Sequence, residues 1–125
     1  AFQSANEEWH DDKWAAFAAN VHYVSTDVSA PGGLKPLQEW FARREGGGGG
    51  RRLYYLSVAP ELYPVLGTGL GEEGFAREDG GFRRLIIEKP FGRDLASAKA
   101  LNETLHKQWR EDQLYRIDHY LGKET

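Results

Sequence analysis

Cysteine is absent from the 125 residues, which excludes disulfides and thiolate metal ligands. Methionine is absent as well, even at position 1, so the sequence reads as a piece of a longer chain or as a processed one. No apolar run approaches the roughly 20 residues that span a bilayer, so no membrane contact is expected. The opening AFQSANEEWHDD is polar and acidic and lacks the basic start and apolar stretch of a secretory signal. A cytoplasmic setting is the expectation. Basic charge is not in excess either: the net formal charge is -3, so no global field gathers nucleic acid. No His, Asp or Glu spacing matches a metal site. What remains is a chain with 40% hydrophobic and 13% aromatic residues, which favours a packed core over disorder. Its length suits one domain or part of one.

Periodicity sets the order of elements. Glu7 to Asn20 reads as a helix, with Trp9, Lys13, Trp14 and Phe17 at helical spacing. The β-branched and aromatic content of VHYVSTDV, Val21 to Val28, predicts a strand. Pro31, Gly32 and Gly33 mark a loop, and Leu34 to Glu45 a helix that tolerates Pro36 in its first turn. The run Gly46 to Gly50 lacks the strand before and helix after that a phosphate-binding turn needs, and reads as a flexible surface connection. Leu53 to Ala59 is apolar enough for a strand covered on both faces. A short helix follows that begins or kinks at Pro64, and Gly67 to Gly81 reads as loop. Leu85 to Ile87 is another strand. Asp94 caps the next helix, whose apolar face carries Leu95, Ala98, Leu101, Leu105 and Trp109. Gln113 to Ile117 is a last strand, and a helix opens at Tyr120. The alternation predicts an α/β fold: an incomplete Rossmann-like parallel sheet with helices on both faces.

Ligands of such sheets gather at the carboxyl ends of strands. Lys89 follows an apolar strand directly, and Pro90 holds it in extended backbone. Its ammonium suits a phosphate or a substrate hydroxyl, or else pairs with Glu88 as a solvated charge. His119, Tyr120 and Lys123 offer an imidazole, a phenol and an ammonium within five residues. With a helix start at Tyr120 they suit a phosphate monoester; the plainer reading is a surface helix start capped by Asp118.

RLIIEKPFGRDL, Arg84 to Leu95, resembles the coenzyme-domain signature of the glucose-6-phosphate dehydrogenase family, and YRIDHYLGKE, Tyr115 to Glu124, resembles that family's substrate-binding motif. VHYVSTDV and RLYYLSVAPELY resemble the two preceding strands, so the likeness spans nearly the whole chain. It implies oxidation of D-glucose 6-phosphate to 6-phosphoglucono-δ-lactone with hydride transfer to NADP. It implies that Lys89 touches both substrate and coenzyme, and that His119, Tyr120 and Lys123 hold the sugar phosphate. Pro60 and Tyr63 would lie along the coenzyme, with Glu88 and Pro90 shaping the nicotinamide pocket. Ala59 stands where a second proline is usual. The resemblance also implies parts that residues 1–125 lack: the first strand with its glycine-rich loop, and a C-terminal α+β domain bearing the general-base histidine. Residues 1–125 are therefore expected to form part of an NAD(P)-binding domain, inactive alone, within a parent that is a homo-oligomer. Two other readings stand beside this one: a catalytically inactive remnant acting as a binding module, and a fragment of a glucose–fructose oxidoreductase type, which also ends a strand in Glu-Lys-Pro.

Overall fold

The computed structural model describes residues 10–47 and 49–118. In chain order they form α1 (Asp11–Ala18), α2 (Lys35–Glu45), β1 (Arg52–Tyr55), α3 (Tyr63–Glu72), β2 (Arg83–Glu88), α4 (Leu95–His106) and β3 (Leu114–Ile117). Single 3-10 turns at Pro60–Leu62 and Glu111–Gln113 lead into α3 and β3. The sheet runs β1-β2-β3 with every pairing parallel, Tyr54 opposite Leu85 and Glu88 opposite Ile117. The α/β parallel class inferred from the alternation is the class observed.

One face of the sheet builds the core. Tyr54, Leu85, Ile87 and Leu114 bury their side chains there against Leu66, Leu105 and Trp109. The ring N–H of Trp109 and the hydroxyl of Tyr54, both buried on this side, are paired, as burial without a partner is costly. Trp109 Nε1 donates to the Gly67 carbonyl at 2.9 Å, and the Tyr54 hydroxyl to that of Phe75 at 3.1 Å. Tyr54 meets both Phe75 and Trp109 edge to face, the favoured aromatic geometry. The opposite face carries Leu53, Tyr55 and Tyr115, each at least half exposed. Among the described residues the helices thus cover one face of the sheet, and the double cover expected of Leu53 to Ala59 is not seen.

Several local expectations are corrected. Residues 21–27 form no strand: they have no ladder partner, and Tyr23 is exposed. β-propensity reports fit to a half-buried pleated surface, and without a neighbouring strand it has nothing to act on. Asp27 then breaks the extension by accepting hydrogen bonds from the Ser29 amide and hydroxyl. The glycine-rich stretch after Tyr63 is helix up to Glu72 rather than loop. Its glycines permit close approach: a Cβ on Gly67 would run into Leu105, and one on Gly71 into Gln108, so α3 lies tight on α4. That contact outweighs the helix cost of about 1 kcal/mol per glycine. Pro64 sits in the first turn of α3, where its missing N–H is harmless. Leu95, expected on the apolar face of α4, is exposed, and Trp109 lies beyond the helix end although fully buried. Gly49 and Gly50 pack against the Gly80–Gly81 backbone, so this part of the glycine run is a packed contact rather than a free connection.

Candidate functional site at the carboxyl ends of the strands

Three chain segments emerge together at the carboxyl edge of the sheet. From β1 the chain passes through Leu56, whose amide donates to the Ile86 carbonyl, and reaches the Pro60 turn. From β2 it passes through Lys89 and a cis peptide to Pro90, then Phe91 and Gly92. From β3 it reaches Asp118. Gly92 has φ +147°, and a Cβ there would stand 2.6 Å from the Ala98 amide nitrogen. Only glycine lets the β2 turn press so closely on α4. Asp94 caps that helix as the sequence predicts. Its carboxylate accepts the Ser97 amide at 2.8 Å, and the Ser97 hydroxyl oxygen in return accepts the Asp94 amide. The Ser97 amide, and the Ser97 hydroxyl that also donates to the carboxylate at 2.9 Å, hold the Asp94 carboxyl below its ordinary pKa.

Between the β1 and β2 turns lies a cleft of about 270 Å³ lined by Pro60, Pro64, Pro90, Phe91 and Leu101, with Glu61 and Arg93 at its rim. Flat apolar walls with a few polar groups at the mouth fit a planar, amide-bearing ring such as nicotinamide. Pro60 and Pro90, both named from the sequence, line it. Glu88 is the last residue of β2, half buried. Tyr63 is 2% exposed and packed in the core, and it is not among the residues lining the cleft. His119, Tyr120 and Lys123 lie outside the described residues; in sequence they follow Asp118 directly.

The ion pair at the edge is one the sequence does not reveal. Lys89 Nζ donates to Asp118 Oδ2 at 2.6 Å, where Glu88 had been the obvious partner. The two strands' register makes the contact, and register cannot be read from residue types. Glu61 and Phe91 belong to strand ends that the sequence marks as candidate ligand positions, but without a role; Arg93 at the cleft carries no sequence signal besides its nearness to Pro90. The run Gly46 to Gly50 precedes β1 and so belongs to the opposite edge. Among the described residues no glycine-rich strand–turn–helix stands at a strand's carboxyl end. None of the described residues forms a metal-binding group, and no described helix is long and apolar enough to cross a membrane.

The sequence pattern described as "Glucose-6-phosphate dehydrogenase, NAD binding domain" matches residues 1–125. The chain belongs to the glucose-6-phosphate dehydrogenase family. Its matched region is that family's nicotinamide-dinucleotide domain. A glucose-6-phosphate 1-dehydrogenase of Bacillus subtilis is 41% identical over 110 residues, covering 86% of this chain and 22% of the relative. A solved glucose-6-phosphate dehydrogenase in complex with its substrate glucose 6-phosphate superposes with a TM-score of 0.73 and 38% identity, over 91% of this chain and 24% of that one. The enzyme from Mycobacterium avium gives a TM-score of 0.77 and 36% identity, over 94% and 24%. The chain thus spans about a fifth to a quarter of the length of these relatives.

Proposed function

We propose that the protein containing this chain oxidises D-glucose 6-phosphate to 6-phosphoglucono-δ-lactone with NADP as coenzyme, the chain contributing part of the coenzyme domain and one wall of the sugar site. The observation that carries the reading is the likeness, across 91% of the chain, to a solved relative bound to glucose 6-phosphate. The strand-end arrangement supports it chemically. Lys89 stands at the junction of two ligand regions. On one side is the Pro60–Pro90 cleft; on the other is the chain that leads from Asp118 into His119, Tyr120 and Lys123.

In this reading His119, Tyr120 and Lys123 hold the sugar phosphate through charge-assisted hydrogen bonds. Lys89 aligns the reacting end of the sugar against the ring end of the coenzyme. Pro60, Pro90 and Glu88 shape the ring pocket, with Tyr63 packed in the core. The coenzyme, when bound, supplies the hydride acceptor. The base that takes the hydroxyl proton belongs, by the family resemblance, to the domain beyond this chain. A cytoplasmic, homo-oligomeric enzyme is part of the same proposal, checked by fractionation and by the mass of the native protein.

Steady-state kinetics of the full-length protein test the assignment. Wild type is expected to reduce NADP with glucose 6-phosphate, and activity confined to unphosphorylated sugars would overturn the reading. Lys123→Ala is expected to raise KM for glucose 6-phosphate about tenfold to hundredfold, the cost of one charge-assisted bond, and to change KM for NADP far less. Lys89→Ala is expected to lower kcat more than Lys123→Ala does, because its contact is nearer the reacting carbon.

A further inference from the structure

A second cleft, of about 520 Å³, lies between the loop of residues 28–34 and α3. Pro64, Thr68 and Glu72 line it at intervals of four and so share one face of the helix. From Pro64 to Glu72 that face extends about 12 Å along the axis. The loop opposite has little freedom. The Thr26 hydroxyl donates to the Gly33 carbonyl, and the Gly33 amide to that of Ala30 at 2.9 Å. A Cβ on Gly33 would stand 1.8 Å from the Asp27 carbonyl oxygen, and Leu34, at the end of the loop, is buried in the core. Both walls are thus set before a ligand arrives, which lowers the cost of binding one.

The two ends of the cleft differ in chemistry. Beside Pro64, Val65 is 46% exposed, and Val28 and Pro31 add apolar surface from the loop. At the other end of the helix stand Glu72 and Glu73. Gln38 steadies Glu73, its amide donating to the carboxylate at 2.9 Å and to the backbone carbonyl at 2.8 Å. Among the described residues Glu72 pairs with nothing. The carbonyl end of α3 adds partial negative charge at the same place. No described lysine, arginine or histidine lines the cleft to offset this; the stem of Lys35 passes near Gly32 without lining it. The volume lies within the range of small-molecule sites, about 300–1,000 Å³.

We propose that this cleft binds a small organic cation: an apolar body lies along α3 from Pro64, and a single ammonium meets the carboxylates of Glu72 and Glu73. The site is separate from the Pro60–Pro90 cleft, although Pro64 lines both. It does not depend on the function proposed above.

The experiment uses the full-length protein and three compounds that share one body: phenylbutylammonium, phenylbutanol and phenylpentanoate. Calorimetry at low salt should show the ammonium bound about tenfold more tightly than the alcohol, and the carboxylate more weakly than either. Hydrogen exchange should show that the ammonium protects residues 28–34 and 63–72. Val65→Phe, at a half-exposed position, should fill the cleft and weaken the ammonium about tenfold or more. Glu72→Gln, on the surface, should weaken the ammonium about threefold to tenfold and leave the alcohol unchanged. Saturating NADP should displace none of the bound ammonium. The inference is overturned if no compound binds saturably, if the carboxylate binds as tightly as the ammonium, or if either variant binds the ammonium like wild type. Protection confined to other segments, or displacement by NADP, would place the compound elsewhere and overturn it equally. None of these results is read from activity, so the proposed function stands or falls separately.

Discussion

Gly67 and Gly69 of α3, two residues apart, should respond to alanine in opposite directions. Helix propensity favours the change at either site by about 0.8–1 kcal/mol. At Gly67 that gain meets Leu105, which is fully buried, and the new methyl would stand 2.3 Å from the Leu105 Cδ2 atom. Forcing a methyl into a packed core costs about 1–3 kcal/mol, so Gly67→Ala should be destabilising by about 0.5–2 kcal/mol net. At Gly69 the nearest atom to the new Cβ is Leu34 Cδ1 at 3.5 Å, an ordinary contact. Most of the propensity gain should survive there, leaving Gly69→Ala more stable by about 0.5–1 kcal/mol. Amide hydrogen exchange over residues 63–72 of the full-length protein, where exchange reports the local opening equilibrium, reads both signs. Gly67→Ala should speed exchange about twofold to thirtyfold and Gly69→Ala slow it about twofold to fivefold. Shifts of the same sign in the two variants would refute the close α3–α4 packing from which the difference is derived.

Glu78 accepts the Arg83 amide and the guanidinium groups of Arg110 and Arg84, which together hold its carboxyl at about 2. A depressed carboxyl stabilises the fold above its unfolded pKa and loses that effect as pH falls towards the folded one. The advantage of wild type over Glu78→Gln should therefore be full at neutral pH and shrink between pH 4.5 and about 2, as followed by urea midpoints. Gly92→Ala places a side chain at φ +147° and against the Ala98 amide, so it should displace the Lys89–Gly92 turn. Backbone strain of this kind costs about 1–3 kcal/mol. Faster amide exchange at the start of α4, together with a raised KM for NADP, is the expected pair of readouts.

The parts of the fold that depend on nearest neighbours in sequence were legible. Asp94 with Ser97 three residues on announces a cap, and the apolar runs around Tyr54 and Ile86 announce parallel strands. Pro36 and Pro64 both sit in first turns, where the absent N–H has no bond to lose. What depends on distant neighbours was not legible. VHYVSTDV has strand composition and, among the described residues, no strand beside it. Gly67 and Gly71 look like loop formers until Leu105 and Gln108 are seen against them. At the candidate site the same division holds. Lys89, Pro60 and Pro90 were found from strand-end position and family motif. Asp118 escaped notice as Lys89's partner because 29 residues separate the two and only the sheet register joins them.

The opposite edge of the sheet is built on another principle. Arg83 is 5% exposed, and its Nη1 faces the carbonyls of Gly50, Gly81 and Phe82, while its Nε is buried without a hydrogen-bond partner among the described residues. One tethered cation thus does for two loops what a captured ion does elsewhere: it gathers carbonyl dipoles from distant parts of the chain around a single charge. Prising those loops apart would strip a buried cation of its ligands, a far larger penalty than parting a solvent-washed ion pair. The amino rim of the sheet is in this sense soldered and the carboxyl rim merely latched.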